Sequence, residues 1–220
     1  MTVNTASKGF DGHPSSHQKN VLITGCSSGI GCQLAQTYHQ RGYKVWATAR
    51  GVHRLDALQK QGIQALELDV LDDQNIHQVV CRILEEDKKL DILINNAGYG
   101  GMGPLLDIPS DELERQFTTN VFAPMAMVRA VIPAMTQQKQ GMIVNIGSVA
   151  GVLVAPFAGS YCASKAALNA LSDALRMELK PLGIKVITVQ PGAVRSRFAD
   201  NATQALHRVW KPESIYKPVE

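Results

Sequence analysis

Tyr161 and Lys165 stand four residues apart in the run Tyr161-Cys162-Ala163-Ser164-Lys165, and Ser148 lies thirteen residues before the tyrosine. On a helix, residues four apart share a face. A phenol titrates near pH ~10, and a neighbouring ammonium lowers the cost of its ionised form. Such a pair can give or take a proton near neutral pH, and a serine beside it can hydrogen-bond a carbonyl or alkoxide oxygen. That is the equipment for interconverting an alcohol and a ketone, provided something nearby exchanges a hydride.

These groups need a scaffold. Short apolar runs alternate with helical patterns: strands over residues 20–24, 44–49, 65–68, 92–95, 141–146 and 185–189, and helices over 30–41, 72–86, 111–136 and 160–179. The fourth-strand-to-fifth-strand helix, 111–136, carries Pro124 and Pro133 as expected interruptions. Wholly apolar strands separated by helices predict a parallel sheet covered on both faces, a doubly wound α/β fold of three layers. Ligands in such folds sit beyond the carboxyl ends of the strands, where the polar motifs of this chain fall. Residues 1–19 read as a disordered polar tail, and residues 20–220 as one domain.

Thr24-Gly25-Cys26-Ser27-Ser28-Gly29-Ile30-Gly31 follows the first strand and opens the first helix. Gly25 permits a tight turn, Gly29 lets backbone approach a pyrophosphate, and Gly31 allows close packing of helix on strand. The helix N-terminus then offers N–H groups and a positive dipole end to phosphates. The spacing is GxxxGxG rather than GxGxxG, so the turn gains its meaning from its strand–turn–helix context.

Composition narrows the classes. The chain has 220 residues, 45% hydrophobic and 19% charged, with net charge +3, which argues against nucleic acid as a partner. The six histidines form no metal-type cluster, and the four cysteines have no zinc-type spacing. With no apolar leader and no run of ~20 apolar residues, the expectation is a cytoplasmic protein with reduced thiols and no transmembrane segment.

Taken together, the motifs resemble those of the short-chain dehydrogenase/reductase family. TGCSSGIG at 24–31 is similar to its glycine turn, Asn95-Asn96-Ala97-Gly98 to its NNAG segment, and Asn120 to its helix asparagine. Ser148 matches its serine, Tyr161 and Lys165 its YxxxK pair, and Pro191-Gly192 the PG after its sixth strand. Within the family, the closest resemblance is to the branch of 17β-hydroxysteroid dehydrogenase-like and acyl-dihydroxyacetone-phosphate reductase-like members, which act on lipid-like substrates.

The resemblance implies roles. Tyr161 is the general acid in reduction, Lys165 holds the nicotinamide ribose and favours the tyrosinate, Ser148 binds the substrate oxygen, and Asn120 anchors a water that relays protons to Lys165. Asp69 contacts the adenine amino group, although a cap on the following helix is a competing use. Ser27, Ser28, Ile30 and Val70 belong to the cofactor-binding segments. Asn95, Ala97 and Gly98 pass the adenine ribose through main-chain groups, Asn96 belongs with the cofactor-binding residues, and Pro191, Gly192, Val194 and Ser196 lie at the nicotinamide. An NAD-using relative carries an acid at the end of the second strand, where this chain has Ala49 followed by Arg50. A guanidinium suits a 2′-phosphate, so the expected cofactor is NADP(H), with Arg50 as its phosphate ligand. The alternative is that Arg50 is a solvated surface charge. No metal is expected.

Substrate-facing segments are expected at 98–105, 149–157 and from Arg195 onward, with Tyr99, Met102, Leu105, Val152, Leu153, Val154 and Phe157 forming an apolar lining. Arg195 and Arg197 suit either an acidic group or solvent. The function expected is therefore an NADPH-dependent reductase of an apolar or lipid-like carbonyl compound. The alternatives are a non-catalytic NADP(H)-sensing protein or an inactive fragment.

The resemblance stops near residue 198. The family's sheet usually has a seventh strand, often used to form homo-oligomers, and residues 199–220 contain no strand-like run. The expectation is a sheet lacking its last strand, with the sixth strand as an open edge.

Overall fold

The computed structural model describes residues 18–194, 209 and 213–216. Six strands form one sheet: β1 (Asn20–Ile23), β2 (Lys44–Ala49), β3 (Gln64–Glu67), β4 (Ile92–Asn95), β5 (Gly141–Ile146) and β6 (Ile184–Val189). All pair in parallel, in the order β3-β2-β1-β4-β5-β6. This is a doubly wound sheet whose strand order reverses between β1 and β4. Chain leaving these two strands departs to opposite sides, and a crevice opens above them.

The inner strands β1, β2, β4 and β5 are buried on both faces, which is why they read as continuous apolar runs, whereas the edge strands β3 and β6 expose part of their side chains. Period-two alternation divides their side chains. Val21, Ile23, Val45, Ala47, Ile92, Ile94, Val144 and Ile146 pack with Ala35 of helix α1 (Gly29–Gln40). Leu22, Trp46, Leu93, Ile143 and Val186 face the other way. The second core takes in helix α3 (Asp73–Asp87), through Ile76, Val79, Val80 and Ile83. Between them, a 3₁₀ turn at Val52–Leu55 runs into the short helix α2 (Asp56–Gln59), a segment the sequence reading left without an element. Its Leu55 and Leu58 are buried in the first core.

The helical stretch over 111–136, expected to be interrupted at Pro124 and Pro133, is two α-helices joined by a π turn. Helix α4 (Ser110–Phe117) passes through a π turn at Thr118–Phe122 into helix α5 (Ala123–Gln138). Pro124 has no N–H to offer the carbonyl of Asn120 four residues back, and the helix widens there. Ala123 N–H bonds the Thr118 carbonyl, five residues back. Pro133 lies inside α5 without ending it. Helix α6 (Gly159–Leu179) then lies over β6 and beside the loop that follows β5.

Candidate active site

The glycine turn is locked onto the chain that leaves β4. Thr24, almost fully buried, uses its hydroxyl oxygen to accept from Asn96 N–H and Ala97 N–H, both at 3.0 Å. Asn96 Nδ2 donates back to the carbonyls of Thr24 (2.9 Å) and Gly25 (3.0 Å). Gly25 has φ +73°, and a Cβ there would lie 2.9 Å from Ala97 Cα. A Cβ on Gly31 would lie 2.4 Å from both the Gly25 oxygen and Asn96 Nδ2. Gly31 thus makes room for the turn itself and for Asn96, rather than for a strand. Ser28 is extended and makes no side-chain cap, and the first turn of α1 carries no acidic residue. The positive end of α1 therefore has no carboxylate of its own to neutralise it, which suits a phosphate.

This turn forms one wall of a cavity of about 690 Å³, in the range of small-molecule sites. Gly25, Ser27, Ser28, Gly29 and Ile30 line it, together with Asn96, Ala97 and Gly98. At the next stretch of wall stand Ala49, Arg50, Leu68, Asp69 and Val70. Asp69 does not cap α3: Asp72 does, accepting from Gln74 N–H (2.9 Å) and Asn75 N–H (3.1 Å). Asp69 instead accepts from Leu71 N–H at 3.0 Å. Arg54 lines the same wall and was not picked out in the sequence. Its signal was the four-residue spacing from Arg50, which means little until 52–55 is known to coil.

Ser148, Tyr161 and Lys165 line the same cavity. Ser148 follows β5 and starts a 3₁₀ turn, its oxygen accepting from Ala150 N–H at 3.1 Å. Tyr161 and Lys165 lie one turn apart on α6, both buried. The Ser148 hydroxyl hydrogen-bonds the Tyr161 phenol and pulls its pKa down, while burial, the larger effect, pushes it up. Lys165 Nζ donates to the Ile146 carbonyl at 2.7 Å and stands 5.9 Å from the Tyr161 ring centre. Burial pushes the lysine itself down to about 8.

Asn120 sits in the π turn. Its Nδ2 donates to the Tyr99 carbonyl (2.9 Å) and Ser164 Oγ (3.0 Å), and its Oδ1 accepts from Tyr99 N–H (3.1 Å). Both side-chain donors are committed to protein, so a water held here must use an oxygen of Asn120. Pro191, Gly192 and Val194 close the cavity, and Pro191 accepts from Val149 N–H at 3.1 Å. Ser196, Arg195 and Arg197 lie outside the described residues. Of the apolar substrate-side residues, Leu105, Val152, Leu153, Val154 and Phe157 are exposed near the start of α6, as is Leu106, which the sequence reading passed over. No group of three or more metal-ligating side chains occurs among the described residues.

A phosphate-binding turn at a sheet's switch point, joined by one cavity to a serine, a tyrosine and a lysine, defines a nucleotide-binding protein of the doubly wound class with proton-transfer groups. The family model for short chain dehydrogenases matches residues 19–207, and the chain belongs to this family of oxidoreductases that use nicotinamide cofactors. It is 39% identical over 188 residues to the uncharacterized oxidoreductase YbbO of Escherichia coli (strain K12), covering 85% of this chain and 70% of that one. It is 38% identical over 204 residues to the NADPH-dependent 1-acyldihydroxyacetone phosphate reductase of Schizosaccharomyces pombe (strain 972 / ATCC 24843), covering 91% and 69%. The crystal structure of a short-chain dehydrogenase from Streptomyces avermitilis superposes with a TM-score of 0.78 at 38% identity, over 81% of this chain and 67% of that one.

Proposed function

We propose that the protein is an NADP(H)-dependent reductase that interconverts a carbonyl and a secondary alcohol on an apolar or lipid-like substrate. The observation that carries this reading is that Ser148, Tyr161 and Lys165 line one cavity with the glycine turn. A bound reduced nicotinamide supplies the hydride. Tyr161 gives its phenolic proton to the substrate oxygen as negative charge develops there. Ser148 brings its hydroxyl to that oxygen and to the phenol, and so stabilises whichever of the two is anionic. Lys165, buried and pushed down to about 8, supplies a positive charge near the phenolate left behind.

The choice of NADP(H) is supported by Arg50 and Arg54 on the cavity wall and by Ala49 where an acid would repel a 2′-phosphate. It agrees with the NADPH dependence stated for the Schizosaccharomyces pombe relative. The apolar substrate is supported by the exposed apolar side chains of Leu105, Leu106, Val152, Leu153 and Val154. No helix among the described residues is long and apolar enough to cross a membrane, and all four cysteines are free thiols, as in a cytoplasmic protein.

The test is a fluorescence titration with NADPH and with NADH, followed by a panel of aliphatic and aromatic aldehydes and ketones. The reading requires tighter binding of NADPH and turnover of at least one apolar carbonyl compound. Tight NADPH binding without turnover of any member would favour a sensing protein, and no binding would end the proposal.

A further inference from the structure

Gln116 and Ser160 are polar, yet each is only 1% exposed. Burying such groups is costly unless each finds a partner, and here each does. Gln116, in the last turn of α4, donates from Nε2 to the Tyr99 carbonyl at 3.3 Å. Its Oε1 accepts from Ser160 Oγ at 3.1 Å, and the same hydroxyl lies 3.2 Å from the Gly101 carbonyl. Gly101 carries no side chain, and one would not fit: a Cβ would stand 2.4 Å from Gln116 Oε1. Three pieces of chain are thereby held at one point: α4, the 99–101 segment and the start of α6.

Ser160 is the residue before Tyr161. The first turn of α6 has no side-chain cap, its N-cap being Ala158. Gln116 therefore provides a lateral hold on the turn that carries the phenol. The 99–101 segment is a firm support for that hold, because Asn120 grips Tyr99 by both its N–H and its carbonyl. Fully paired buried networks of this kind fix geometry more than they add stability.

We propose that Gln116 is a positioning residue for Tyr161, acting through Ser160 to fix the first turn of α6 and so the seat of the phenol against Ser148. The inference rests on the reading of Tyr161 as the general acid. A misplacement of about 1 Å in a reacting group can cost roughly 10²-fold in rate.

Gln116→Met keeps the side chain's length and removes both hydrogen bonds, and Ser160→Ala removes the other partner. Neither changes Lys165 or Cys162, the ionisable neighbours of the phenol on α6. Two readouts are used. The first is kcat for the best carbonyl compound of the panel, expressed per NADPH-binding site. The second is the titration of the Tyr161 phenol in the NADP⁺ complex, followed by tyrosinate absorbance relative to Tyr161→Phe. We expect kcat to fall about 10- to 100-fold with NADPH affinity held within about threefold. The phenol should titrate at higher pH as its bond to Ser148 loosens, and the double variant should be no worse than the poorer single one. A purely structural role would lower the number of binding sites and leave both readouts per site unchanged. That result in Gln116→Met, or in Ser160→Ala should the first variant fail to fold, overturns the proposal. The titration needs no substrate. A wild-type protein that reduces nothing would sink the proposed function, while the phenol's response would still decide the role of Gln116.

Discussion

Ser148 and Tyr161, thirteen residues apart in sequence, share a hydrogen bond that works against burial on the same phenol. Burial favours the neutral phenol and the serine favours the phenolate. The bond therefore decides how readily the proton leaves.

Ser148→Ala removes that pull, so the phenol should titrate higher. Alcohol oxidation needs the phenolate, and its rate should rise with pH through the phenol's pKa. The rise should move to higher pH in the variant, with kcat for reduction down roughly 10²–10³-fold, as for loss of one oxyanion donor. A pH–rate profile measured in both directions checks this. An unmoved profile would place Ser148 outside the proton path.

Cofactor choice should follow Ala49 and Arg50. In Ala49→Asp/Arg50→Ala the new carboxylate repels a 2′-phosphate and the guanidinium is gone. A charge-assisted bond contributes about 1.5–3 kcal/mol, so the ratio of NADPH to NADH affinity should drop roughly 10- to 150-fold. Isothermal titration with both cofactors checks it. A preserved NADPH preference would move the phosphate contact to Arg54.

Much of this was legible in the sequence because the signals were local. Strands buried on both faces announce themselves as apolar runs, and the glycine turn and the tyrosine–lysine pair are fixed by spacing. What could not be read depends on contacts between distant segments. The π turn at Asn120 follows from a proline four residues on, and that spacing shows only an interruption, not its kind. Asp72 rather than Asp69 caps α3, because the helix begins at Asp73 and Asp69 is bonded to Leu71 N–H instead. Lys165 donates to the Ile146 carbonyl nineteen residues away, a contact that helical spacing alone does not show. Gln116 carried no pattern at all, since its partners come from two other segments.

Lys165 should leave a mark on stability. Burial lowers it from 10.5 in the unfolded chain to about 8 in the folded one. Between these values the unfolded state binds more protons, so stability rises with pH across that window. The charged lysine thus costs the folded state on the order of 3 kcal/mol at neutral pH relative to its neutral form. Lys165→Met should therefore gain most over wild type below pH 8, with the gain shrinking toward pH 10.5. Urea unfolding of both proteins at several pH values measures it. A pH-independent difference would show that the lysine is not desolvated.

The outer edge of the sheet makes its own prediction. Gly147 N–H bonds the Val189 carbonyl at 2.7 Å, so Val189, and by alternation Ile187 and Lys185, turn their backbone toward β5. Val186 and Thr188 then face outward, where no described strand pairs with them. Ile187 and Val189 also expose their side chains. In dilute protein the amides of Val186 and Thr188 should exchange with deuterium far faster than those of Lys185, Ile187 and Val189, and slow down as concentration favours association through the edge. Equal protection of both sets in a dilute monomer would mean that the edge is covered.

The central claim is that the Tyr161 phenol is the acid that completes carbonyl reduction. Tyr161→Phe keeps the ring and its packing and removes only the proton donor. NADPH-dependent reduction of the best carbonyl substrate by wild type and variant, with NADPH affinity measured alongside, tests it most directly. The account predicts a fall in kcat of at least ~10²-fold, up to about 10⁴-fold, with NADPH affinity essentially unchanged. Turnover by Tyr161→Phe near that of wild type would contradict it.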